Sequence, residues 1–395
     1  MPTFPLPAIE CPMTRLAHPP NTAIIVGGSL VGLATAIRLA HEGLSVTVLE
    51  RGPKFGEGTG LVVDRRQLSR VIGVSAFGDS ERPALPVIAT RRESTSWKAV
   101  YGWLRNVALT TPGVRLLTNQ TVISVRSEDH HAIAYTFEAR FDADLLVGAD
   151  GHGSMVRRFV APENPDALYA GYGLWRGMID ETDLPASHAH AYVGDGPSMW
   201  AHRRYRLVSY HVPGQHRGIA AGGRAVNWAW YDPDLTPIFE TAGCVRSGVV
   251  QRSLRPEEFS PILISRLDRL ASELWPDPIG CIIRLTLRAG RAFATPIAEY
   301  EPTRLTSGRL VLVGDAAHLA APTTGAGLVT GLEDVEALGE AVRSERNGGL
   351  AAVDAYEALR LRPARRLAET SRAWSRSYLD QVRASVTCGV VPAAE

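Results

Sequence analysis

Three separated segments of this chain, residues 24–50, 144–158 and 309–338, share one design. They read IIVGGSLVGLATAIRLAHEGLSVTVLE, DLLVGADGHGSMVRR and RLVLVGDAAHLAAPTTGAGLVTGLEDVEAL. Each is an apolar run that breaks into a Gly/Asp turn and resumes with helical spacing, the pattern of a buried parallel strand feeding a helix. Three such strand ends, spread over most of the chain, imply one nucleotide cofactor gripped at three places. That reading points to a flavoenzyme on an α/β, Rossmann-like frame.

In the first segment residues 23–26 form the strand, Gly27 opens a tight turn, and Gly32 lets the helix approach the sheet. Leu33, Ala36, Ile37 and Ala40 share one helical face, and the helix N-terminus offers backbone N–H groups to a pyrophosphate. Glu50 closes the second strand, 23 residues after Gly27, where a carboxylate takes ribose hydroxyls. Ser29 stands where the G-x-G-x-x-G pattern has its middle glycine, so this fingerprint is imperfect. In the second segment the turn is 148–151, and Arg157 and Arg158 add positive charge near any phosphate. The third is the most specific. Asp315 ends its strand where a carboxylate can bond a polyol hydroxyl, and the Gly325–Gly327 loop aims N–H donors at a developing anion.

Composition excludes several classes. Across 395 residues the net charge is +1 and 45% of residues are hydrophobic, so neither a nucleic-acid groove nor a membrane surface is indicated. Cys11, Cys244, Cys281 and Cys388 are scattered without C-x-x-C spacing, which reads as a reducing, cytoplasmic setting with no metal site. Residues 1–21 are a proline-rich flexible lead-in without the pattern of a signal peptide. Residues 22–168 and 289–345 form a discontinuous cofactor domain. Within it, 114–125 and 131–141 alternate like antiparallel strands. Residues 169–288 form an inserted, mainly antiparallel sheet with strands at 171–179, 189–193, 198–202, 206–212 and 225–231. A helix spans 261–274, N-capped by Ser260 with Pro261 in its first turn. Residues 346–395 are a C-terminal helical segment, kinked near Pro363, with Tyr356, Leu359, Leu367, Trp374 and Leu379 as core contacts.

From Thr22 to Ala373 the order and spacing of these elements resemble the single-component FAD-dependent aromatic hydroxylases, and within them the hydroxylases of small heteroaromatics. VGGSLVGL around Gly28, KFGEGTGLVV at 54–63, YAGYGLWRG at 169–177 and VNWAWYDP at 226–233 carry the likeness, and that subgroup shares Ser29. The resemblance implies FAD as cofactor, with Gly27, Gly28, Ser29, Leu30 and Gly32 at the pyrophosphate and Glu50 and Arg51 at the adenosine end. It implies Arg92 (or Arg91), Val125 and Asp150 as further cofactor contacts, Gly314 and Asp315 at the ribityl chain, and Pro322, Gly325, Ala326, Gly327 and Leu328 at the flavin ring. It also implies NADH or NADPH and O2 as co-substrates, a small aromatic or heteroaromatic ring as substrate, and oxygen transfer through a flavin C4a-hydroperoxide.

A phenol or hydroxypyridine reacts best when deprotonated, so a base belongs near the ring. The inserted sheet offers His202, Tyr210 and His211. Neighbours on a strand face opposite sides, so Tyr210 and His211 cannot both enter the pocket, whereas Trp200 pairs with His202 and Ser209 with His211. Trp200, Ser209, Trp228 and Trp230 are the candidate substrate contacts, although for Trp228 and Trp230 the core behind the pocket is favoured over its wall. Arg176, Arg203, Arg204 and Arg224 are available to an anionic group. The sequence is compatible with a monomer or homodimer. A flavin-dependent halogenase fits less well, because Asp232 interrupts the W-x-W-x-I-P pattern. An FAD-dependent dehydrogenase or reductase, or a flavin-binding protein without oxygen chemistry, is the remaining alternative.

Overall fold

The computed structural model describes residues 21–52, 59–89, 92–185, 196–215, 218–322, 325, 327–345 and 349–387. The predicted lead-in, the 189–193 strand, Arg91 and Ala326 lie outside these residues, apart from Asn21.

The strand Thr22–Val26 is the centre of a six-stranded sheet. Its order is Thr306–Ser307, Leu310–Leu312, Leu145–Gly148, Thr22–Val26, Ser45–Leu49, Val114–Leu117. All neighbours are parallel except the first pair. Both faces are covered, which is why these strands read as unbroken apolar runs. On one face the helix Leu30–His41 buries Leu33, Ala34 and Ile37 against the helices Trp97–Thr110 and Gly327–Ser344. On the other a three-stranded antiparallel sheet brings Val125, Ala132 and Ala134 to the core. The strands of all three segments end together, at Val26, Gly148 and Leu312, on the sheet edge where doubly wound folds bind ligands. Residues 114–125 are not one antiparallel strand. Val114–Leu117 pairs in parallel with Ser45–Leu49, and only Val122–Ser127 joins the antiparallel sheet. So short a run carries too few alternations to reveal its pairing.

The second sheet is antiparallel, in the order Ser198–His202, Tyr205–Pro213, Arg224–Asp232, Leu168–Asp180, Val249–Val250, Val245–Arg246. The strand Ala292–Glu299 also pairs with Leu168–Asp180, so the inserted unit continues beyond the expected boundary at 288. Helix Pro261–Leu274 forms as read, with Ser260 Oγ accepting from Leu263 N at 3.2 Å. That helix and Ile279–Arg288 cover one face of the sheet with a tryptophan-rich core: Trp175, Trp228, Trp230 and Trp275. Trp230 and Trp275 meet edge to face with centroids 5.7 Å apart. The Trp175 Nε1 donates to the buried Asp232 at 2.9 Å, which accounts for the carboxylate after the Trp-x-Trp pattern. The helix Gly349–Thr387 runs across the opposite face with Pro363 inside it; Leu359 lies exposed on its surface, contrary to the expected core role. No helix among the described residues is long and apolar enough to cross a membrane.

Candidate active site

The turn after the first strand is built for close approach of a ligand. Gly27 has φ +102°, and a Cβ there would lie 2.4 Å from the Ala149 carbonyl oxygen. A Cβ on Gly32 would lie 1.9 Å from the Gly27 carbonyl oxygen, so only glycine lets helix and turn meet. Ser29 is the N-cap but its hydroxyl makes no capping bond. The first-turn N–H groups have no acceptor within the helix and are available to an anion. Leu30 points its side chain into the core. Glu50 braces the turn, accepting from Gly28 N and Gly52 N, each at 2.8 Å. Arg51 beside it is exposed. Val125 is buried in the core, so its side chain faces away from the cleft.

The second segment braces the third. Asp150 accepts from Ser154 Oγ at 2.5 Å and Met155 N at 2.7 Å, so its carboxylate stabilises its own turn. Arg157 is buried and stacks 4.2 Å over the Tyr300 ring. It donates to the carbonyls of His152, Asp315 and Ala316. Arg157 is thus a clamp between segments rather than a phosphate ligand, while Arg158 is exposed.

Asp315 opens into the cleft, yet protein surrounds it at longer range. Crowding pushes its pKa up, while His318, His152 and Arg157 pull it back toward the ionised form. Behind it lies a cluster that the sequence reading left without a role. Asp334 is fully buried and accepts from Gly314 N at 2.9 Å, His318 Nε2 at 2.7 Å and Arg360 Nε at 2.8 Å. The cofactor loop and the C-terminal helix are thereby tied together. Burial alone would lower the His318 pKa, but Asp334 more than reverses this and holds it above the ordinary value.

A cleft of about 640 Å³ joins this loop to the second sheet. Arg92, Asp315, His318, Pro322, Gly325, Gly327 and Leu328 line one side. Opposite them lies a three-by-three patch fixed by strand register. Its rows are Arg206–Tyr231–Leu174, Val208–Ala229–Arg176 and Tyr210–Asn227–Met178. Gly60 N donates to Asn227 Oδ1 at 2.8 Å and closes one edge. Trp374 and Tyr378 of the C-terminal helix, stacked at 5.5 Å, close another. Burial pushes the Tyr210 phenol up to about 12, against the pull of Arg176.

Most of the expected substrate and base residues stand on the wrong face. Register puts Trp200 opposite Leu207, Ser209 opposite Trp228, and His211 opposite Val226. Trp228 and Trp230 are wholly buried in the core behind the sheet; the Trp228 Nε1 donates to Thr286 Oγ1 at 3.1 Å. His202 shares the parity of Trp200 at the sheet end, away from the cleft. His211 packs 3.2 Å from Glu181, which also pairs with Arg224. Burial, followed by the nearby Arg224 charge, depresses its imidazole to about 4, with Glu181 opposing. Of these candidates Tyr210 turns its side chain to the cleft; Trp228 also borders the cleft, but its indole is committed to the core. Period-two alternation gave the correct pairings but not which parity faces in.

Comparison with known proteins decides what this site is. Residues 25–68 match an NAD(P)-binding Rossmann-like domain family, 169–286 an FAD-binding-domain-like family, and 283–371 an FAD-binding domain family. The chain is 26% identical over 339 residues to 2,6-dihydroxypyridine 3-monooxygenase of Paenarthrobacter nicotinovorans, covering 80% of this chain and 81% of that protein. It is 26% identical to 3-hydroxybenzoate 6-hydroxylase of Klebsiella oxytoca, covering 90% and 88%. Its relatives are single-component FAD-dependent aromatic hydroxylases, and the matched domains and relatives make this chain an FAD-dependent monooxygenase. The fold of this hydroxylase matches the solved 2,6-dihydroxypyridine-3-hydroxylase of Arthrobacter nicotinovorans with TM-score 0.73 at 22% identity, covering 91% and 92% of the two chains. It also matches Klebsiella pneumoniae HpxO complexed with FAD and uric acid, with TM-score 0.69 at 21% identity, covering 92% and 91%. The hydroxylase is an FAD-dependent monooxygenase, and its glycine cradle and open helix N-terminus fit that cofactor.

Proposed function

We propose that this hydroxylase inserts one oxygen atom of O2 into a small phenol- or hydroxypyridine-like ring lying over the Val208–Ala229 patch, with NADH or NADPH as reductant. The observation that carries the reading is one cleft shared by the Asp315–Leu328 side and the tyrosine- and arginine-bearing sheet face. FAD, when bound, supplies the two-electron activation of O2. Overall, NAD(P)H, a proton, O2 and the aromatic C–H give NAD(P)⁺, the ring hydroxyl and water.

The protein's part is positioning and exclusion of water. The Leu30–His41 N-terminus and the Gly27–Ser29 turn hold the pyrophosphate, and Glu50 takes the ribose. Asp315 takes the ribityl hydroxyls, and the backbone of Pro322, Gly325 and Gly327 borders the ring. Ala229 and Val208 are small enough to seat a flat ring between Tyr210 and Tyr231. Tyr210 stays a neutral phenol at neutral pH, so it acts as a hydrogen-bond partner that orients the substrate oxygen at Oη rather than as the base. We read the enzyme as cytoplasmic, and as a monomer or homodimer.

The test is oxygen uptake and NAD(P)H oxidation with a panel of hydroxybenzoates and hydroxypyridines, with products identified by mass spectrometry. At least one ring should accelerate NAD(P)H oxidation and emerge hydroxylated. Acceleration with no hydroxylated product from any ring contradicts the proposal.

A further inference from the structure

The helix Gly349–Thr387 carries two buried serines, Ser371 and Ser375, on the stripe that also presents Leu367, Trp374 and Tyr378 to the cleft. A buried helical serine ordinarily turns its hydroxyl back to a carbonyl of its own helix. These two turn outward to one carboxylate, that of Glu299 at the end of the strand Ala292–Glu299. Ser375 Oγ donates to Glu299 Oε1 at 2.6 Å, and Ser371 Oγ approaches the same oxygen at 3.5 Å. Glu299 is buried, and among the described residues no arginine, lysine or histidine pairs with it. Asp334 and Glu181, also buried, face Arg360 and Arg224. An ionised carboxylate is an acceptor alone, so it takes the single proton of each hydroxyl and leaves the serine oxygens as acceptors. Ser371 Oγ accepts from Ala321 N at 2.5 Å. Ser375 Oγ meets the Tyr172 hydroxyl at 3.2 Å, a wholly buried phenol whose ring packs 5.1 Å from that of Tyr378. Ala321 immediately precedes Pro322, which has no N–H of its own. The last main-chain donor before the flavin-side turn is therefore tied to the C-terminal helix. Two residues upstream, Leu319 N is tied to Tyr300 O at 3.2 Å.

We propose that Glu299 and Ser371 are positioning residues for oxygen transfer. The carboxylate fixes the Ser371 hydroxyl, the hydroxyl fixes the Ala321–Pro322 peptide, and that peptide sets the seat of the flavin ring against the substrate patch. The proposal rests on the oxygen-inserting reading of this cleft. Its consequence is the fate of O2. With the loop seated, one oxygen atom enters the aromatic ring and the other leaves as water. With the loop slack, NAD(P)H, a proton and O2 give NAD(P)⁺ and hydrogen peroxide, and the ring is unchanged. The Val208–Ala229 patch that seats the substrate lies outside this network, so affinity for the ring is nearly independent of it.

The test compares Ser371→Ala, Ser371→Thr and Glu299→Gln with wild type, all loaded with FAD. The readouts are visible circular dichroism of the oxidised flavin without substrate, ring hydroxyl formed per NAD(P)H consumed, and substrate KM. Ser371→Ala should alter the dichroism and lower the product-to-NAD(P)H ratio about two- to tenfold, with hydrogen peroxide making up the difference and KM within about threefold of wild type. Glu299→Gln should move both readouts the same way, because a neutral amide is a weaker acceptor than a carboxylate. Ser371→Thr keeps the hydroxyl and should stay near wild type. Ala368→Gly, at a buried position of the same helix, is the control for lost helix stability: Tm should fall while dichroism and ratio hold. A wild-type ratio in Ser371→Ala or in Glu299→Gln overturns the proposal, and so does an equally lowered ratio in Ala368→Gly. If wild type hydroxylates no ring, the oxygen-insertion reading fails and the dichroism decides alone. An unchanged flavin signal in Ser371→Ala then overturns the positioning role; a changed signal that Ser371→Thr restores supports it.

Discussion

Gly32→Ala isolates the glycine cradle. The added Cβ would lie 1.9 Å from the Gly27 carbonyl oxygen and 3.3 Å from the Ala149 Cβ. Reaching ordinary contact requires the helix and the turn to part by roughly 1.5 Å. A hydrogen bond of about 2.9 Å does not survive that displacement. Losing one charge-assisted bond from the helix N-terminus to a phosphate costs about 1.5–3 kcal/mol, which weakens FAD binding about ten- to a hundredfold. Overpacking takes a further ~1–3 kcal/mol from stability. Gly102→Ala is the control. Gly102 lies within the helix Trp97–Thr110, and its added Cβ would meet nothing within 4 Å. That change should be neutral or stabilise by up to about 1 kcal/mol. The assay is FAD titration of the apoprotein by flavin fluorescence, with Tm alongside. A Gly32→Ala protein that binds FAD as wild type does, at unchanged Tm, would refute the close-approach argument.

Strand parity gives a paired prediction. Trp230→Ala should destabilise by about 3–5 kcal/mol through the cavity it leaves, seen as a lower Tm. Ala229→Leu, one residue away on the cleft face, should raise the substrate KM while leaving Tm within a few degrees. Tyr210→Phe should lower kcat/KM about 3- to 10-fold for a phenolic substrate through one lost hydrogen bond, measured by steady-state kinetics. Asp334→Asn should cost about 3–5 kcal/mol by breaking a buried ion-pair cluster, measured by chemical denaturation. The pH dependence follows from His318, whose pKa is raised above its ordinary 6.5. Its stabilisation is complete below the ordinary value and is lost as pH rises through the raised one. Wild-type Tm should therefore fall on that alkaline limb, and His318→Gln should flatten it. The contribution of Asp334, whose pKa is lowered, is lost only as pH falls through the acid range.

The cofactor frame was legible because its chemistry is local. A strand end, a glycine turn and a helix start occupy adjacent positions, and Glu50 and Asp315 fall at strand ends by spacing alone. Roles fixed across the chain were less legible. Arg157 looked like phosphate charge, but only the fold shows it holding the carbonyls of Asp315 and Ala316. The Asp334 cluster needs residues 314, 318, 334 and 360 to converge. The substrate sheet defeated parity for a physical reason. Both its faces are covered, one by helices and one by the cleft and the C-terminal helix, so polarity does not mark the inside. The core face even carries Ser209 and His211, while the cleft face carries Val208 and Ala229. The smallness of Ala229 between two tryptophans was the available signal: a side chain that leaves room marks the open side.

The most direct test of oxygen insertion is turnover of the ring that stimulates NAD(P)H oxidation under ¹⁸O2 in ordinary water. One labelled oxygen atom should appear in the new ring hydroxyl, with product formed in proportion to the NAD(P)H consumed. Unlabelled product, or oxygen recovered wholly as hydrogen peroxide with the ring unchanged, would contradict the account.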